Sequence, residues 1–180
     1  MPLFAKRPPL HVFVAIPVFV IVLAAFALSV SAVKENIRFI TATNQILNLA
    51  GTVRAVAAGQ KGFAQNPGED IWADLEHMGQ IASTTSHLNP WQGDVRMMSV
   101  SDNAMRIESD MPTHDCRRLA LYFMGRQPGD LGLLSLEVES FAAHEWMVLY
   151  PTPPIHNHLV EAACGAAPYA RLAVVFKIRQ

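Results

Sequence analysis

The first 34 residues contain no Asp or Glu, and from Leu10 to Val33 there is no Lys or Arg either. That absence excludes an ordinary surface helix for the stretch LHVFVAIPVFVIVLAAFALSVSAV, because a water-facing helix keeps a polar face. Read as one helix, the stretch would extend about 36 Å at ~1.5 Å per residue, enough to cross a hydrocarbon core of ~30 Å with some tilt. Cysteine is nearly absent as well. Cys116 and Cys164 are the two present, and neither has a CxxC or CxxH neighbour, which disfavours a zinc site. There is no GxSxG, no HExxH and no glycine-rich phosphate loop ahead of a helix, so the common hydrolase, metalloprotease and nucleotide-binding signatures are missing. Basic residues are not in excess: 14 Lys and Arg stand against 15 Asp and Glu, without runs, which excludes the electrostatic footprint of a nucleic-acid binder. No catalytic activity, cofactor, metal or nucleic-acid partner is expected.

What is present begins with orientation. Lys6 and Arg7 precede the apolar run and every acid follows it, so the amino terminus is expected in the cytoplasm and the rest of the chain outside it, in the periplasm. Pro17 should kink the span mildly, its freed carbonyl being re-satisfied by neighbouring helices or water. A cleavable secretory signal is the competing reading, with small residues at Val30-Ser31-Ala32. The run exceeds the length of a signal core, however, and apolar residues resume at Ile37, Phe39 and Ile40, which favours an uncleaved inner-membrane anchor running into a second helix. The expected organisation is residues 1–9 as a basic cytoplasmic leader, 10–33 as a transmembrane helix and 34–180 as one exported domain. Within that domain, 34–58 form an amphipathic helix, 59–93 a connector and 94–180 a sheet with a disulfide region.

The amphipathic segment shows its period plainly. Phe39, Ala42, Ile46, Leu49, Val53 and Val56 recur at steps of three and four, while Thr41, Gln45, Asn48 and Thr52 fill the other face. Glu69 and Asp70 ahead of Ile71 and Leu75 predict a short helix. Val95 to Val100 and Ala104 to Glu108 predict a hairpin about a Ser101-Asp102-Asn103 turn, with Pro112 breaking the pattern. Asp115 is expected to cap a helix whose inner face carries Cys116, Leu119 and Phe123. Leu134, Leu136 and Val138 predict an inward strand face, Trp146 to Tyr150 a return strand, and Pro151, Pro153 and Pro154 a loop running to Cys164. A last strand places Leu172, Val174, Phe176 and Ile178 inward. Both cysteines lie on the exported side, where disulfides persist, so a Cys116–Cys164 bridge is expected; closing that loop would contribute ~4 kcal/mol by chain entropy.

This order of parts resembles that of the type IVb pilins of the PilS type. Ala57 to Phe63, AAGQKGF, is similar to that family's exit from its spine helix, and Asn89-Pro90-Trp91-Gln92-Gly93 is similar to its segment before the first strand. The resemblance covers about Val33 to Gln180. It implies an α+β fold in which a long N-terminal helix packs on a small antiparallel sheet, with a disulfide-closed C-terminal loop. It also implies a structural subunit or minor pilin of a type IV pilus or related secretion or conjugation apparatus. Partners would be the membrane, like or unlike pilin subunits and an assembly platform, with the head at the periplasmic face or on a pilus. The runner-up is a membrane-anchored extracytoplasmic accessory that does not polymerise. The first glycine is Gly51 and no carboxylate precedes Glu35, so cleavage by a prepilin peptidase is not expected. Assembly would then rest on apolar packing of Phe13, Phe19 and Phe26.

Other candidates carry bland alternatives. His156-Asn157-His158 offers two imidazoles without an evident third ligand, against a solvated loop. His144 beside Glu145 offers an acid–base pair, although strand neighbours point to opposite faces. Met97, Met98 and Met105 read as an adaptable surface or, better, as core filler. Trp91 is either a core plug or an exposed contact.

Overall fold

The computed structural model describes residues 10–60, 63, 66–82, 86–126, 128–140, 144–151, 157–165 and 167–179, the side chains at 10–16, 128, 130, 140 and 157 excepted. The chain is α+β: one long apolar N-terminal helix, a five-stranded antiparallel sheet and a Cys116–Cys164 disulfide. It divides into two compact units, one ending at Arg38 and the other beginning at Phe39.

Helix α1 spans Leu10–Gly59 and continues through Pro17. In the first unit every residue from Pro17 to Ile37 is exposed. In the second, the expected stripe is buried: Ala42, Ile46, Leu49, Val53 and Val56 join the core, with Phe39 packed at its margin. The period of 3.6 puts these residues on one face, and burying that face stabilises the helix more than its propensity does.

The second unit continues with α2 (Ile71–His77), β1 (Val95–Ser101), β2 (Ala104–Pro112), α3 (Thr113–Gly125), a single turn α4 (Pro128–Leu131), β3 (Leu133–Ser140), β4 (Glu145–Tyr150), α5 (Asn157–Gly165) and β5 (Tyr169–Lys177). The strand order is β1-β2-β5-β3-β4, so the last strand in sequence occupies the centre. Its inner face, Leu172, Val174 and Phe176, is buried as expected, opposite Ser109, Ile107 and Met105 of β2. Asp70 caps α2 by accepting the Trp72 amide at 3.0 Å, as its position ahead of an apolar helix predicts.

Four details differ from expectation. Strand β2 runs through Ser109 and Asp110 to Pro112, because β5 pairs with it along its whole length and Arg171 neutralises Asp110. Asp115 does not cap α3. Pro112 holds the cap position without a side-chain bond, and Asp115 lies buried in the first turn, 3.8 Å from Arg118. Leu134 is exposed and Leu133 is buried in its place, because the register slips between Leu133 and Ser135 against β5. Finally, the loop expected up to Cys164 contains α5, whose Val160, Ala163 and Cys164 are buried at steps of three and one. Residues 141–143, between β3 and β4, lie outside the described residues; His144, just before β4, takes a positive φ of 52°.

Candidate functional site

Four features of the two units could bear function. The first is the exposed part of α1. Phe19 and Phe26, expected to pack in an assembly, are 64% and 68% exposed. The Phe13 side chain lies outside the described residues. Across the described residues one helix is long and apolar enough to cross a membrane, and its most apolar window has no buried residue. Exposed apolar area of this extent marks a surface meant for lipid or for other protein.

The second is the disulfide. Cys116 on α3 and Cys164 on α5 are both buried, with Cα atoms 5.9 Å apart. Helices α3 and α5 cover the inner face of the sheet together. Arg117 on α3 and Glu161 on α5 add a surface pair at 3.8 Å, which contributes little beside the covalent link.

The third is the turn Asn89-Pro90-Trp91-Gln92-Gly93. Asn89 is buried and its amide is satisfied at both ends. Its Oδ1 accepts the backbone N–H of Trp91 and of Gly93 at 2.9 and 3.0 Å, and its Nδ2 donates to Ser109 Oγ and to the Asp110 carbonyl. Gly93 passes so close to β2 that a Cβ there would lie 1.8 Å from the Asp110 carbonyl oxygen. Gln92 takes a positive φ of 66°. The motif is thus a structural clasp that holds the connector on β2, and Trp91 is half-buried against the core rather than standing out as a contact.

The fourth is the outer face of the sheet, where Arg106 and Arg171 are interleaved with four carboxylates. Arg171 holds Asp110 through Nε at 2.6 Å and Nη2 at 3.2 Å, and Glu139 through Nη1 at 3.0 Å. Arg106 lies 2.9 Å from both Glu108 and Glu137 and stacks 3.9 Å above the Trp146 ring. The hydrogen bond to Asp110 raises the Arg171 pKa despite desolvation. Glu108 holds an alternating polar position on β2, yet it is only 6% exposed. Two arginines spanning three adjacent strands cover it, and sequence periodicity along one strand does not reveal a neighbour from another. Such a ladder fixes strand register; it contains no nucleophile.

The remaining candidates do not converge. Met97 and Met105 are core, and Met98 is half-buried. His144 is exposed, with Nδ1 3.9 Å from Glu139. His156 lies outside the described residues, and His158 is exposed at the start of α5. Among the described residues no group of three or more His, Cys, Asp or Glu is placed to hold a metal ion. An open groove of about 580 Å³ runs beside Arg54, Ala57, Ala58, Ile178 and Arg179. The Arg54 guanidinium there already donates to the carbonyls of Lys177 and Leu131, and burial lowers its pKa.

Comparison with protein-family models, curated proteins and solved structures finds no match to this chain in any of the three. The class the fold defines is therefore an α+β domain carried on a helix capable of spanning a bilayer.

Proposed function

We propose that this chain is a pilin-like structural subunit or minor pilin of a type IV pilus or related secretion or conjugation apparatus, acting by helix packing and assembly rather than by catalysis. One observation carries the reading: a single helix presents only exposed residues from Pro17 to Ile37 and then a buried stripe from Ala42 to Ala57 beneath a disulfide-linked sheet domain. Anchored by its apolar half with the amino terminus in the cytoplasm, the subunit holds its head in the periplasm. In a fibre the apolar halves, with Phe13, Phe19 and Phe26, bundle inside and the heads form the surface.

An epitope placed in the head tests the reading by shear fractionation. The tag is expected in sheared fibres, and a tag that never leaves the membrane pellet removes the fibre. A second reading, a membrane-anchored accessory that does not polymerise, is favoured by the absence of any carboxylate from Leu10 to Val33. A register-setting ion pair inside an apolar bundle needs such a group. A single cysteine at Val20, with the native pair oxidised, separates the two readings. A ladder of crosslinked products supports assembly, and one heterologous band supports the accessory.

A further inference from the structure

The two edges of the sheet are finished differently. At β1 the connector closes the edge: the Val95 N–H donates to the His87 carbonyl at 2.6 Å, the Ser99 N–H to the Glu69 carbonyl at 2.9 Å, and the Ser99 carbonyl accepts the Gly68 N–H at 2.8 Å. Among the described residues no backbone bond of this kind reaches β4, whose one neighbour in the sheet is β3. Glu145 to Val148 pair regularly with Ser140 to Glu137, and the register slips beyond them at Leu149. Trp146, Met147 and Val148 are 37%, 41% and 50% exposed. A sheet edge with open N–H and C=O groups and exposed apolar side chains is a template for another strand, and natural sequences blunt such edges with lysine, proline or charge. Strand β4 carries one charge, Glu145, at its first residue, and neither lysine nor proline from Trp146 to Tyr150.

We propose that β4 pairs with β4 of a second copy of this chain, antiparallel, about a two-fold axis through Met147. Symmetry and charge commit the occupant. A two-fold perpendicular to the sheet makes the strands antiparallel and keeps both inner faces on one side, so it passes through a residue position rather than between two. The exposed run is centred on Met147. With the axis there, Trp146 meets Val148 of the second copy on the outer side, an aromatic with a β-branched residue, and Met147 meets its own counterpart on the inner side. The pairing ends before Pro151, which has no N–H to give. Glu145 then faces Leu149 of the second copy, and the two Glu145 carboxylates are offset by roughly 13 Å along the strands, beyond the screening length of about 8 Å; a parallel pairing would set them side by side. On the outer side Glu137 and Glu139 are held by Arg106 and Arg171 and lie three strand spacings, roughly 14 Å, from their counterparts. The interface is small and belongs to the weak, reversible class. Being two-fold, it closes at two copies, so it neither needs nor builds a fibre and goes beyond the function proposed above.

The test uses the full chain in detergent with the native cysteine pair oxidised. Under mild oxidation Met147→Cys should form a covalent dimer several-fold faster than Val100→Cys, an exposed position on the covered β1 edge. Trp146→Cys mixed with Val148→Cys should crosslink faster than either alone. A charge swap checks the same axis without added cysteine. Met147→Lys and Met147→Glu, each in differently tagged chains, should lower co-purification of the tags by half or more, because like charges face across the axis, and mixing the two variants should restore it. Both changes fall on an exposed edge side chain, and restoration shows that the variants are folded. Equal crosslinking at 147 and 100, co-purification that neither charge reduces, or a loss that mixing does not restore overturns the β4 pairing. In envelope membranes a single band of Met147→Cys with a different protein, and no dimer, also overturns it and gives the edge to another partner. A crosslinked ladder from Val20 alongside no dimer from position 147 leaves the fibre standing and removes the β4 contact alone.

Discussion

The two halves of α1 share a backbone conformation and differ in everything around it. From Pro17 to Val33 the side chains are uncharged and exposed, apolar but for Ser29 and Ser31; from Ala42 to Ala57 the apolar residues occupy one stripe, and that stripe is buried. The first half carries no stripe that would single out one side for a partner, a pattern that suits lipid, which accepts every side. The second half must place each apolar residue by its angle, because water is the alternative. One helix therefore carries two side-chain patterns, and the change falls between Val33 and Phe39, where Lys34, Glu35 and Arg38 appear.

The comparison breaks most sharply under a charge placed in either half. Val53 is 0% exposed, so Val53→Asp buries an unpaired carboxylate and should cost ~4 kcal/mol or more, enough to unfold a small domain. Flotation with vesicles should persist while the head becomes protease-sensitive. Phe19→Asp should do the reverse: an aspartate at mid-span costs ~2.5–3.5 kcal/mol of insertion, and the head should keep its melting temperature. If Phe19→Asp melts the head, or Val53→Asp abolishes flotation, the two halves are not energetically separate.

Next in size are variants that act on the head alone. Gly93→Ala pushes a methyl group into the Asp110 carbonyl, at 1.8 Å before relaxation. Backbone rather than a flexible side chain must yield, so a loss of ~3 kcal/mol or more is expected. Thermal melting with unchanged flotation is the measurement. Arg171→Met leaves Asp110 and Glu139 without their shared cation, while buried Glu108 keeps Arg106. Removing one partner of a partly buried network should cost ~2–4 kcal/mol, and Arg171→Lys less, since it keeps the charge and loses the two-pronged grip on Asp110. An Arg171→Met melting temperature equal to that of the parent would mean that the ladder is surface decoration.

How far such features were legible depends on whether their cause is local. The upper stripe of α1 follows from residues three and four apart, and Ala42 through Val56 could be read directly. The cysteine bridge followed from count and compartment. Helix α5 is obscured in the sequence by Pro151, Pro153 and Pro154 just ahead of it, although Val160, Ala163 and Cys164 carry a short helical signal. The slip that exposes Leu134 and the burial of Glu108 both arise from β5, which enters the middle of the sheet from the far end of the sequence. No window along β2 or β3 contains that partner. The asparagine–glycine clasp shows the same limit: Asn89-Pro90-Trp91-Gln92-Gly93 stands out as a motif, but its reason is the Asp110 carbonyl, supplied by a strand further along the chain.

The smallest effect expected concerns Asp74 on α2. Its pKa is raised above the ordinary 3.8, first by desolvation and then by repulsion from Glu69 and Asp70, with His77 opposing. Between the unfolded value and the raised folded value the native state binds more protons than the unfolded chain, so this group's contribution to stability falls as pH rises through that window. Above the window the ionised carboxylate is a constant penalty, and below 3.8 it is none. Asp74→Asn should therefore stabilise the head at neutral pH and make no difference in strong acid. Because Asp74 is largely solvated, screening holds the gain to under ~0.5 kcal/mol. Added salt should remove the part due to Glu69 and Asp70 and leave the part due to desolvation. Asp70 still caps Trp72 in this variant, so the helix start is intact and the charge is what changes. Melting curves of parent and variant, taken from acid to neutral pH, should diverge as the pH rises; curves that run parallel would mean that this carboxylate contributes nothing to the head.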